Sequence, residues 1–415
     1  MSAEPLAYRI LSRAAGAVVG PGDRITAALD RAVLSGARVP ATLLRVRDRG
    51  RPWNPDHLLM AMDFQAPEVE SQVPRSRALC RELAETYGLR HVFDLNRGIG
   101  SHVVLESAQV PPGYLVAGCG RCLGVMGGIG VLPLRLDEDA LARAIVEGRV
   151  SLEVPPAVRV DMTGRLPRYA GPLDLASAVA EVLGPRLRGH VVEIHGDPLP
   201  GGVDLRVALC GLLAEMGAFA ALVATDDTLI RFYRERGVDI AESVPPPDGG
   251  FEATVELDAG AVVSVFGSDY AGPFRPLAAA GDDPVHGVFA GSCYGGRYDD
   301  LSLVAEVLKK RGRVAPGVRL IISPASLETA QACLAAGFYE TFLSAGAMVV
   351  VPGGGPGSAG GGAIFGDGER IASTAEYHRQ LGPGQGAPDV HLLSPGAAAV
   401  AAALGRLEDP AEYLA

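Results

Sequence analysis

Lysine is nearly missing from this chain of 415 residues. Lys309 and Lys310 are the only two, and arginine supplies the rest of the 37 basic side chains. Against 48 acidic residues they leave a formal charge of −11, with no surplus of cations to neutralise a nucleic-acid backbone. No uninterrupted apolar run reaches the roughly 18 residues that cross a bilayer. The first residues also lack the basic-then-apolar order of a signal peptide. These absences argue against nucleic-acid and membrane partners and make the cytoplasm the expected location. There are only six cysteines, too few for a disulfide scaffold. In a reducing compartment, two thiols set three apart point to metal or redox chemistry before structural cross-linking. The scarcity of lysine, with the excess of alanine and glycine, reads as coding bias.

What is present is an alternation. Short apolar runs such as Leu58–Asp63, His91–Asp94, His190–His195, Val288–Ala290, Arg319–Ile322 and Ala347–Val351 take turns with amphipathic or alanine-rich stretches. The latter include 68–87, Asp174–Leu183, Arg206–Met216 and Ser394–Gly405. This order predicts an α/β protein with parallel sheets covered by helices. Val154-Pro-Pro156 interrupts the first region, and a third starts near Pro273. Three domains are therefore expected, over 1–153, 154–272 and 273–415.

Cys119 and Cys122 lie in Gly118-Cys-Gly-Arg-Cys-Leu-Gly124, directly after the strand-like Tyr114–Ala117. Cys293 follows Val288–Ala290 in Gly291-Ser-Cys-Tyr294. Thiols on turns at strand ends are placed to meet a metal or a substrate. Cys80, Cys210 and Cys333 sit in apolar helical runs and read as small buried hydrophobes. The Cys-x-x-Cys spacing is equally open to a zinc half-site, a redox pair or a tight structural turn.

Several motifs resemble the aconitase superfamily, most closely the large subunits of isopropylmalate isomerase and homoaconitase. They are Arg97-Gly-Ile-Gly-Ser-His-Val-Val-Leu-Glu106, Pro112-Gly-Tyr-Leu-Val-Ala-Gly118, Val192-Glu-Ile-His-Gly196, Gly291-Ser-Cys-Tyr-Gly-Gly-Arg297, Ile321-Ile-Ser-Pro-Ala-Ser326 and Leu393-Ser-Pro-Gly-Ala397. The resemblance implies three α/β/α domains around a central cleft. It also implies a [4Fe–4S] cluster whose open iron is the Lewis acid of dehydration, and a swivelling fourth domain supplied here by another polypeptide. The chain departs from that pattern at the chemistry. Gly354 and Gly357 stand where the family has two cluster cysteines, Gly120-Arg-Cys122 replaces Asp-Ser-His, and Asp63-Phe64 keeps the acid without its histidine. Ser101-His102 replaces a His-Gln pair, and Glu376-Tyr-His378 replaces Asn-Arg-Asn.

One reading restores a relocated cluster: Cys119, Cys122 and Cys293 as thiolate ligands, with an open iron polarising a small hydroxylated carboxylate. Asp63, Ser101, His102 and Glu215 are then the candidates for moving protons, and Arg121, Ser292 and Arg297 for binding the substrate. A second reading drops the cluster and uses Cys122 or Cys293 as an activated thiol assisted by His102. A third is a non-catalytic subunit that binds a partner. Arg121 and Arg297 could simply pair with acids, Asp63 and Glu215 could be remnants, and His57, His286 and His391 read as structural.

Overall fold

Leu58–Ala61 has four residues and no exposed side chain, the mark of a strand in a sheet covered on both faces. In the computed structural model, which describes residues 4–63, 73–196, 201–240, 249–357, 364–376 and 388–414, it pairs in parallel with Arg31–Leu34 and His91–Phe93. The full order of this first sheet is His91–Phe93, Leu58–Ala61, Arg31–Leu34, Leu115–Gly118, Leu132–Arg135. A second parallel sheet orders as Ala220–Val223, Val191–Gly196, Ala157–Thr163, Ala253–Asp258. The third runs Met348–Val349, Arg319–Ser323, Gly287–Gly291, Arg370–Ser373, Asp389–Leu392. Two short antiparallel ribbons and three isolated antiparallel bridges are also present among the described residues. The α/β expectation therefore holds, with parallel sheets and intervening helices.

Most expected elements appear with edges shifted by a few residues. The run 68–87 is helical over Val73–Tyr87, and its first part lies outside the described residues. The tail forms helix Pro395–Leu404, in which all but the last residue are buried. Ala347–Val351 shrinks to the edge strand Met348–Val349.

The glycine-rich run after Cys119 is the main local surprise. It is not an open turn but a 3-10 helix, Arg121–Ile129, buried from Leu123 onward. It lies against helix Val203–Glu215, and glycine lets the two backbones touch. A Cβ at Gly128 would lie 2.6 Å from the Cα of Val207, and one at Gly127 would overlap the Ala221 carbonyl oxygen. Gly211 makes the same allowance from the other side, where a Cβ would overlap the Tyr294 ring. A continuous apolar core therefore links Val33 and Leu123 with Val192 and Leu212, and reaches Cys293 and Tyr294. The sheets share one interior where their loops meet.

Candidate functional site

In an open parallel sheet the strand order reverses once, and ligands bind in the crevice at the carboxyl ends of the strands flanking that reversal. The flanking strands are Arg31–Leu34 and Leu115–Gly118 in the first sheet, and Gly287–Gly291 and Arg370–Ser373 in the third. Residues just past these ends line one shared cleft of about 70 Å³: Arg121 and Cys122 from the first, Ser292, Cys293, Ala375 and Glu376 from the third. Glu215, Tyr270 and Tyr294 complete its wall.

Arg121 spans the cleft. One guanidinium nitrogen donates to Glu215 at 3.2 Å and to Glu376 at 2.5 Å. Glu215 ends helix Val203–Glu215 and also accepts from Arg135 at 3.0 Å and from the Tyr294 hydroxyl at 3.4 Å. Its side chain is 10% exposed, whereas that of Arg121 is 48% exposed. The carboxylate is thus fixed in the wall, while the guanidinium is exposed enough to meet a ligand. Burial and the Glu215 charge push the Tyr294 phenol well up, so it remains a donor.

The sulfurs sort differently from their order in the chain. Cys122 and Cys293, 171 residues apart, form a disulfide with Cα atoms 6.3 Å from one another. Ser292 holds φ at +65°, a left-handed turn that aims Cys293 at the cleft. Thr374 clamps that turn, accepting from the Gly291 amide at 2.8 Å and donating to its carbonyl at 2.9 Å.

Cys119 does not join them. Side chains alternate along a strand, and Leu115, Ala117 and Cys119 all point into the core beside Leu43 and Val46, while Val116 points to the opposite face. The Cys119 sulfur is 3.8 Å from the Thr42 hydroxyl, and burial pushes its thiol up.

The donors expected for a cluster therefore do not converge. All six cysteines are described, and no group of three or more His, Cys, Asp or Glu side chains among the described residues could hold a metal ion. Near Gly353 and Gly354 the space beside Asp63 and Arg97 is about 20 Å³, room for about one water molecule. There Gly355 packs toward the Phe289 ring and Ser323, whose hydroxyl bonds the Gly353 carbonyl at 2.9 Å. These residues do not fit a [4Fe–4S] cluster.

The other expected proton carriers do not line this cleft, and Asp63 borders the separate small space beside Arg97. Asp63 accepts from the Gly36 and Gly100 amides, each at 2.6 Å, while burial raises its carboxyl. Ser101 and His102 are buried in helix Gly100–Glu106. Arg297, expected on the substrate, is 5% exposed and fully committed. It donates to Asp204 at 2.6 Å and to Glu106 and His102 Nδ1 at 3.2 Å each. Arginine can only donate, so Nδ1 accepts and the imidazole proton sits on Nε2.

Burial, reinforced by the Arg297 charge, pushes His102 down to about 3. An unfolded imidazole titrates near 6.5. The stability contributed by neutral His102 is therefore complete above pH 6.5 and is lost as pH falls toward 3, at about 1.4 kcal/mol per pH unit. Urea unfolding at pH 7 and pH 5 should show this extra loss in the wild type and not in His102→Gln. Equal pH dependence of the two would refute it.

Residues the motifs did not single out for the site are Arg135, Tyr270 and Tyr294. Glu376 carried a signal, since it occupies the Asn-Arg-Asn position; Tyr377 and His378 lie outside the described residues.

The sequence profile of the aconitase family (aconitate hydratase) matches residues 52–262 and 267–405. The 3-isopropylmalate dehydratase large subunit 1 of Methanopyrus kandleri is 31% identical, covering 99% of each chain. The homoaconitase large subunit of Thermus thermophilus is also 31% identical, over 99% of this chain and 98% of its own. Among solved structures, Thermococcus kodakaraensis aconitase X in its holo-form matches with a TM-score of 0.53 at 13% identity. It covers 94% of this chain and 89% of that one, a likeness of fold.

Proposed function

The chain belongs to the aconitase family, and on that footing we propose that it is an enzyme of the hydro-lyase type. It adds or removes water on a small hydroxylated carboxylate, working with a separate small subunit. Its full-length relatives named dehydratase and homoaconitase large subunits support the reaction class and the partner. The observation that carries the site is Arg121, half-exposed in the cleft between Glu215 and Glu376 and beside two cysteines.

A substrate carboxylate displaces Glu376 from Arg121, a like-for-like exchange of one bonded carboxylate for another. Glu215, still held by Arg135 and Tyr294, takes the proton from the carbon next to that carboxylate. The freed electron pair forms the double bond and the neighbouring C–O bond breaks. The departing oxygen takes a proton from the thiol of Cys122 or Cys293 in their reduced form, and water leaves. No step is assigned to a cluster, because the donors present do not fit one. Asp63, Ser101 and His102 lie outside the cleft and take no part in the step, and Arg297 positions rather than binds.

Anaerobic purification with the small subunit, before and after incubation with iron and sulfide, tests this. Cys119→Ser should match the wild type in bound iron and keep its rate within about twofold, followed by absorbance of the unsaturated acid. Joint loss of iron and turnover in that variant would restore the relocated cluster. Turnover of no hydroxylated carboxylate by the reduced complex would favour a binding subunit.

A further inference from the structure

Cys122 and Cys293 are 171 residues apart, on loops from different sheets, yet their sulfurs are bonded. We propose that they form a thiol–disulfide exchange site on the cleft, oxidised by a low-molecular-weight disulfide and reopened by a dithiol. The bond fastens the reversal point of the first sheet to that of the third. Its effect on turnover rests on the function proposed above, whereas the exchange chemistry does not.

Three observations carry the assignment. Cys122 is partly exposed in the open cleft, whereas Cys293 is 7% exposed behind it, so an incoming disulfide meets Cys122 first. The turn bearing Cys293 is preset by the Ser292 backbone and the Thr374 clamp. A Cβ at Gly296 would lie 2.7 Å from the Ser292 carbonyl oxygen, so the neighbouring chain is already closed onto it. The other four thiols are buried in cores or helix faces. Burial also pushes Cys80 up to about 11 and Cys333 to about 12, which keeps them protonated and unreactive.

The exchange proceeds in two displacements. The Cys122 thiolate attacks one sulfur of the oxidant, whose S–S bond breaks, and the other half leaves as a thiolate that takes up a proton. Cys293 then loses its proton and displaces the bound half from Cys122. Two protein thiols have become one disulfide, and one small disulfide has become two thiols.

The full chain, fully reduced and then equilibrated with mixtures of oxidised and reduced glutathione, should pass to a form two hydrogens lighter. Alkylation should then label two fewer cysteines, and the linked peptides should contain Cys122 and Cys293. Cys293→Ser should stop at one glutathione adduct on Cys122, Cys122→Ser should take none, and Cys119→Ser should behave as the wild type. Linkage of Cys119 to Cys122, adducts elsewhere, or no oxidised form at any ratio would overturn the proposal. If the complex turns over substrate, oxidation should lower the rate at least tenfold and a dithiol should restore it. A bond that forms in a protein without turnover would leave this site standing and remove the catalytic reading alone. An active enzyme whose pair never oxidises would do the reverse.

Discussion

Arg297→Met should lower unfolding stability by about 3–5 kcal/mol, the cost of stranding buried carboxylates without their cation. The guanidinium reaches His102 and Glu106 on helix Gly100–Glu106, and Asp204 on helix Val203–Glu215, from the residue that precedes helix Tyr298–Arg311. Side-chain exposure is 6% for Arg297, 7% for Glu106 and 13% for Asp204, so water cannot replace the lost partner. Burial already lifts Glu106 to about 7 beside this charge, while Arg297 holds Asp204 below its usual range despite burial. Urea denaturation at neutral pH is the measurement. A midpoint within error of the wild type would mean that this cluster does not hold the three sheets together. Arg297→Lys should recover part of the loss, because charge returns without the forked geometry.

Glu215→Gln should reduce kcat of the reduced complex by about 10²–10⁴-fold, the usual worth of a positioned general base. The amide keeps the shape and can still accept from Arg135 and Tyr294, but it cannot take a proton from carbon. KM should change little if Arg121 still holds the substrate carboxylate. Glu376→Gln supplies the contrast. Its carboxylate is a placeholder on Arg121, so its loss should move KM more than kcat. A Glu215→Gln enzyme that retains most of its turnover would remove Glu215 from the proton path. Equal kcat losses in both variants would make the two acids a structural clamp instead.

The fold was legible because its signal is redundant. Leu58–Ala61, Val191–Gly196 and Gly287–Gly291 are apolar runs between helical stretches, and many independent motifs spoke for the same family. The site was half legible. Strand ends named the segments bearing Arg121, Cys122, Ser292 and Cys293, and the reversal of strand order brings those ends to one cleft. Cys119 misled because spacing alone does not say which side of a sheet a residue faces. Counting from Leu115 in steps of two would have sent it to the inner core with Ala117. Arg297 misled for a different reason: an arginine beside a cysteine turn suits a substrate anion, and only the fold brings Asp204, Glu106 and His102 to it first. Glu215 stood among the candidate proton carriers, but Arg135 and Tyr294 become its partners through folding alone.

The 3-10 helix behind Cys122 has a corollary for substitution. From Leu123 to Ile129 every residue is buried, and Gly127 and Gly128 press against facing backbone with no room for a Cβ, so substitution there should disturb the fold first. Arg121 and Cys122, at its open end, escape that constraint. Their contacts are made by side chains, to Glu215, Glu376 and Cys293, so exchanging either should alter the chemistry of the cleft while the buried part of the helix keeps its place.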